Sequence, residues 1–67
     1  MKLIINGSNR SFEAPLHTVA ELLHELNLGS KIVVVEHNEQ ILQKNEHEQA
    51  LLCHGDRLEI VHFVGGG

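Results

Sequence analysis

The sequence has no tryptophan or tyrosine, one proline, one cysteine and only five basic residues. A lone Cys53 excludes an intramolecular disulfide framework, so no covalent staple supports the fold; it also fits a reducing cytosol. The basic residues Lys2, Arg10, Lys31, Lys44 and Arg57 are scattered and outnumbered by nine Asp/Glu, for a formal charge of −4. That balance leaves no electrostatic footprint for nucleic acid. An acidic chain is instead drawn to electropositive enzyme mouths, with steering that fades beyond a Debye length of roughly 8–10 Å. No long apolar run is present. Met1–Ile5 turns polar at Asn6, far too short for a signal peptide or a membrane span, which predicts a soluble cytoplasmic protein.

Length sets a further bound. Sixty-seven residues allow one domain with one small core and little room for a deep pocket with a catalytic shell. The chain is therefore expected to present itself to enzymes and not to be one, and to be a monomer when free.

What is present reads as a small α+β unit. Met1, Leu3 and Ile5 alternate onto one face of a first strand, Asn6 to Asn9 supply a reversal, and Ser11 to Ala14 form the return strand, closed by Pro15. Thr18-Val19-Ala20-Glu21 has the form of a capping box, with Glu21 reaching back to the Thr18 amide. Val19, Leu22, Leu23 and Leu26 then fall on one helical face, and Gly29 is the expected C′ stop after about three turns. Ile32 to Val35 is a continuous β-branched run, which predicts a strand covered on both faces. Asn38-Glu39 turns into a short edge strand at Gln40–Leu42. Lys44 to Gln49 is a loop or a single helical turn, and a final strand spans Arg57 to Val64. One amphipathic helix on one face of a mixed sheet of four to five strands is the ubiquitin-like β-grasp pattern. The domain is expected to span 1–64, with a glycine tail over 65–67.

The tail, Gly65-Gly66-Gly67, follows the last strand directly. Glycines make a thin stem that passes where a side chain does not fit. A terminal Gly67 offers an α-carboxylate, ionised above a reference pKa of about 3.3–3.7 and able to act as an oxygen nucleophile.

Ile32-Val33-Val34-Val35-Glu36-His37-Asn38, then Gly55-Asp56-Arg57-Leu58-Glu59-Ile60-Val61-His62-Phe63-Val64, then the three glycines, resemble the ThiS family of sulfur carriers in thiamine biosynthesis. The resemblance covers the whole chain. It implies that a ThiF-type enzyme, using ATP and magnesium, adenylates the Gly67 carboxylate. Sulfur from a donor such as a cysteine desulfurase then makes a thiocarboxylate, and a ThiG-type thiazole synthase consumes it. Gly67 is the reactive terminus, Gly66 the stem and Gly65 a supporting residue, with no cofactor bound by the carrier itself. Two related readings stay open: a carrier like the molybdopterin synthase small subunit, and a ubiquitin-like modifier conjugated to lysines. The first typically approaches its glycines through a proline, whereas Phe63-Val64 leads straight in.

Three side-chain expectations complete the reading. If Leu58 and Ile60 join Leu3 and Ile5 under the helix, period-two alternation places Val61 and Phe63 on the opposite face, near Ile4. With Val64 these form a candidate docking patch beside the tail. The six histidines show no close ligand spacing on one element and Cys53-His54 neighbours point apart, so no metal site is expected and the histidines are read as solvated or partner-facing. Cys53 is expected in the core.

Overall fold

The computed structural model describes residues 1–63. Asn6 and Gly7 adopt φ of +50° and +82°, the left-handed pair that a two-residue hairpin turn requires. They join β1 (Lys2–Ile5) to β2 (Ser8–Ser11) in antiparallel register from Lys2 opposite Ser11 to Ile5 opposite Ser8. The return strand thus starts earlier than the sequence suggests and ends where Ser11–Ala14 was expected to begin. The polar Ser8-Asn9-Arg10-Ser11 run pairs because the tight turn fixes its register, and all four residues are exposed on the sheet edge.

Helix α1 spans Val19–Glu25. Thr18 Oγ1 accepts the Glu21 amide at 3.2 Å, as the capping pattern predicts, but the Glu21 carboxylate accepts the His17 amide at 2.7 Å instead of that of Thr18. The next two free amides of the helix start find partners across the chain: Val19 N–H donates to the Ala50 carbonyl at 3.0 Å and Ala20 N–H to that of His47 at 2.8 Å. The aperiodic 44–50 segment is therefore held as a cap for α1, and it contains a 3₁₀ turn, Lys44–Glu46. At the other end Asn27, at φ +61°, supplies the left-handed residue that stops the helix. The stop expected at Gly29 comes two residues earlier because asparagine tolerates this conformation.

β3 (Ile32–His37) and β4 (Gln40–Leu42) form a second hairpin, and β5 (Arg57–Phe63) closes the sheet. Strand order is β2-β1-β5-β3-β4, with β5 central, parallel to β1 and antiparallel to β3 over six residue pairs from Ile32–Phe63 to His37–Leu58. Leu3, Ile5, Val35, Leu58 and Ile60 from the sheet meet Val19, Leu22 and Leu23 from α1, with Leu16 and Leu52 closing the core. Fully burying side chains of this size contributes about 1.5–3 kcal/mol each relative to exposure, which makes these ten residues the main source of stability.

The other sheet face is open. Ile32 and Val34 are 70 % and 42 % exposed, so β3 is covered on one side only, contrary to its uninterrupted apolar sequence. The single helix is too small to cover more. Cys53 is likewise exposed, not in the core, because it lies in the turn that precedes β5.

Candidate functional site

β5 is the last strand before the C-terminal glycines in the sequence, and its alternation decides which of its side chains reach the open face. Leu58 and Ile60 point into the core while Val61 and Phe63, 55 % and 53 % exposed, point to the open face. Antiparallel register sets Val34 directly opposite Val61 and Ile32 directly opposite Phe63. Residues facing each other this way have Cβ atoms about 4.5–5.5 Å apart, so four apolar side chains form one patch at the C-terminal end of β5. Of the expected patch, Val61 and Phe63 are brought together. Ile4 is not, since it pairs with Arg57, four residues before Val61 and thus about 13 Å back along the strand. Val64, Gly65, Gly66 and Gly67 lie outside the described residues.

Ile32 and Val34 are not evident from the sequence as surface residues, because a continuous β-branched run predicts a strand covered on both sides. The signal lay in pairing such a strand with β5, whose outward residues are also apolar. Farther along the same face the character changes. Glu36 faces Glu59 and the exposed Ile41 faces Glu36, so toward the β3–β4 hairpin acidic side chains join the apolar ones.

Two side-chain clamps hold β5 in place. Asn6 ends β1, and its amide pairs with Ile60 as a main-chain unit would: Oδ1 accepts the Ile60 amide at 2.7 Å and Nδ2 donates to the Ile60 carbonyl at 3.1 Å. The β1–β5 ladder is thereby lengthened past the point where β1 turns away. At the other end of β5, His37 Nε2 lies 2.8 Å from Asp56 Oδ2, which also accepts the Cys53 amide at 2.8 Å. Burial pushes the Asp56 carboxyl up, but the hydrogen bonds from His37, the Cys53 amide and Asn38 outweigh it, and its pKa lies below the ordinary 3.8. Asn38 adds a bond of 3.0 Å from the Arg57 amide to its Oδ1. Neither clamp is visible as a sequence pattern, because each joins residues 19 or 54 positions apart.

Two further histidines have polar partners. His54 Nδ1 accepts the Lys2 amide at 3.1 Å, and His17 lies 3.4 Å from the exposed Glu21 carboxylate. His47 departs from the expected solvated role: it is 7 % exposed, and burial lowers its pKa. Among the described residues no group of three or more His, Cys, Asp or Glu is arranged to hold a metal ion, and no helix is long and apolar enough to cross a membrane.

The fold agrees with comparison to known proteins. The ThiS family matches residues 3–67, a span that includes all three terminal glycines. The chain belongs to the ThiS family. It is 42 % identical over 65 residues to the sulfur carrier protein ThiS of Bacillus subtilis (strain 168), covering 97 % of this chain and 98 % of that protein. It is 49 % identical over 67 residues to a thiazole synthase of Paramagnetospirillum magneticum, and 34 % to one of Magnetococcus marinus. The chain spans only 20 % of the length of each of these two synthases. The crystal structure of a ThiS protein of thiamine biosynthesis from Geobacter metallireducens superposes with a TM-score of 0.83 at 30 % identity, covering 100 % of both chains. The ThiS β-grasp fold is thus established for this chain.

Proposed function

We propose that this protein is the sulfur carrier for thiazole formation in thiamine biosynthesis, with the Gly67 carboxylate as the group that carries sulfur. The observation that supports it most is the family match through Gly67 together with near-complete coverage of a ThiS carrier. The chemistry follows from the carboxylate. Sulfur does not displace an oxide directly, so activation precedes sulfur transfer. A Gly67 oxygen attacks the α-phosphorus of ATP, pyrophosphate leaves, and the product is a mixed anhydride. A persulfide sulfur of the donor then adds to the acyl carbon and AMP departs as the leaving group, and a thiol reductant attacks the donor-side sulfur of the resulting acyl disulfide, which breaks the S–S bond, releases the thiocarboxylate and leaves the donor as a mixed disulfide.

None of these steps needs a base or a metal from the carrier. Nucleotide, magnesium and catalytic groups belong to a ThiF-type adenylating enzyme, sulfur comes from a donor of the cysteine desulfurase kind, and the carrier itself is not an enzyme. Gly66 and Gly65 let the stem lie extended in a channel. The exposed apolar patch of Ile32, Val34, Val61 and Phe63, on the last strand before the glycines and its neighbour, suits a docking surface for an enzyme that takes the tail. Two thiazole synthases that contain a segment similar to this entire chain support such a synthase as the enzyme that takes the sulfur.

A reconstitution tests the reading. The chain, a ThiF-type enzyme, ATP, magnesium, a sulfur donor and a thiazole synthase are combined, and thiazole is measured. Thiazole formation that disappears on deletion of Gly66 and Gly67 is expected. Equal formation with and without the deletion would overturn the proposal, and isopeptide-linked products in its place would favour a protein modifier.

A further inference from the structure

The chain has five asparagines, and one of them, Asn6, precedes a glycine. Arg10, Leu28, Glu39 and Glu46 follow the other four, so a side chain stands beside each of those amide nitrogens. Gly7 places none there. Both residues of the pair are exposed, and no atom beyond the chain neighbours lies within 4 Å of the position a Gly7 Cβ would take. The hairpin itself favours this pair, because its two-residue turn needs φ of +50° and +82°. The Asn6 carboxamide is nonetheless engaged: Oδ1 accepts the Ile60 amide at 2.7 Å and Nδ2 donates to the Ile60 carbonyl at 3.1 Å. β1 and β5 share just two residue pairs in register, Ile4–Arg57 and Ile5–Leu58, so this clamp is a large part of what joins them.

We infer that Asn6-Gly7 is a site of spontaneous deamidation, that the clamp on Ile60 restrains the reaction in the folded chain, and that the modification, once made, loosens β5 from β1. The Gly7 nitrogen gives its proton to water and attacks Asn6 Cγ. The N–Cγ bond forms, the Cγ–Nδ2 bond breaks, and Nδ2 takes up a proton and leaves as ammonia, which closes a five-membered succinimide. Water then adds to one of the two ring carbonyls and opens the ring to aspartate or isoaspartate at position 6. Water is the only co-reactant, and nothing is oxidised or reduced. A clamped carboxamide is held planar with both ends occupied. Attack makes Cγ tetrahedral and expels the nitrogen that donates to Ile60, so both hydrogen bonds are given up on the way to closure. Two net hydrogen bonds slow the folded chain about tenfold or more relative to the open one.

The product does not rebuild the clamp. An ionised carboxylate only accepts, so one oxygen meets the Ile60 N–H while the other is set against the Ile60 carbonyl, where Nδ2 had donated. Isoaspartate also lengthens the main chain inside the turn, which disturbs the register of Ile5 opposite Ser8. This chemistry is the chain's own and is independent of what Gly67 carries.

Peptide mapping by mass spectrometry follows all five asparagines at mildly alkaline pH, in buffer and in urea below and above the unfolding midpoint. Asn6 is expected to be the fastest of the five in the unfolded chain, and about tenfold or more slower in buffer. Below the midpoint its rate is expected to follow hydrogen exchange at the Ile60 amide as the clamp opens. Converted chain, separated by its added negative charge and returned to buffer, is expected to have lost protection at Ile60, and Asn6→Asp to reproduce that loss. The rate comparison needs no variant, so it decides even if Asn6→Asp fails to fold. Equal rates at Asn6 in buffer and in unfolding urea would overturn the inference, as would an unfolded chain in which Asn6 converts no faster than Asn9, Asn27, Asn38 and Asn45. So would a converted chain whose Ile60 amide stays as protected as before.

Discussion

Replacing Asn6 by glycine isolates what the side-chain clamp on β5 contributes. Glycine keeps the φ of +50° that the hairpin turn needs and removes only the amide that pairs with Ile60 at 2.7 and 3.1 Å. A net hydrogen bond contributes about 0.5–1.5 kcal/mol, so the pair amounts to about 1–3 kcal/mol. A domain of this size has a total stability of only roughly 3–10 kcal/mol, and each kcal/mol moves Tm by about 4–8 °C. Glycine also loosens the unfolded chain, and Asn27→Gly provides the correction. Asn27 is likewise left-handed, at φ +61°, and its side chain makes no hydrogen bond among the described residues. Urea unfolding followed by far-UV circular dichroism suits a chain without tryptophan or tyrosine, and hydrogen exchange at the Ile60 amide reports the clamp directly. Asn6→Gly is expected to lose about 1–3 kcal/mol beyond Asn27→Gly and to lose protection at Ile60. Equal stability of the two variants, or unchanged Ile60 protection, would refute the reasoning.

Phe63→Ala removes half of an exposed cross-strand pair, so it is expected to cost less than about 1 kcal/mol of stability while weakening binding to the adenylating enzyme about tenfold or more; calorimetric titration and thermal melts check the two readings separately. Glu39 sits at φ +73° without being glycine, and Glu39→Gly is expected to raise stability by up to about 1 kcal/mol, the left-handed strain relieved less the added chain entropy. Asp56 has a pKa below the ordinary 3.8 in the folded chain. Its unfolded form therefore takes up a proton first as pH falls; the stability it contributes is complete above that ordinary value and lost as pH drops through the folded one. Asp56→Asn is expected to be less stable at neutral pH and to show a shallower acid dependence below about pH 4, measured by urea midpoints across pH.

The sequence carried the core and the order of elements because both rest on periodicity. Leu3, Ile5, Leu58 and Ile60 alternate, Val19, Leu22 and Leu23 recur at helical spacing, and all are buried. What escaped was set by pairing across distance. β2 forms from polar residues because Asn6-Gly7 makes a two-residue turn, and register then outweighs propensity. The open side of β3 depends on how many helices cover the sheet, a property of the whole fold. For the same reason the patch expected from Val61, Phe63 and Val64 includes Ile4, which strand register separates from Val61, and omits Ile32 and Val34, which an uninterrupted β-branched run places in a strand covered on both faces. His47 escaped because burial by the α1 cap leaves no mark on the sequence around it.

The central claim is that sulfur is carried on the Gly67 carboxylate, and intact mass spectrometry tests it most directly. The protein is incubated with a ThiF-type enzyme, ATP and magnesium, with and without a sulfur donor. Formation of an adenylate, converted with sulfur to an oxygen-for-sulfur exchange that fragmentation assigns to Gly67, is the predicted result. An unchanged mass, under conditions in which the Bacillus subtilis carrier is converted, would contradict it.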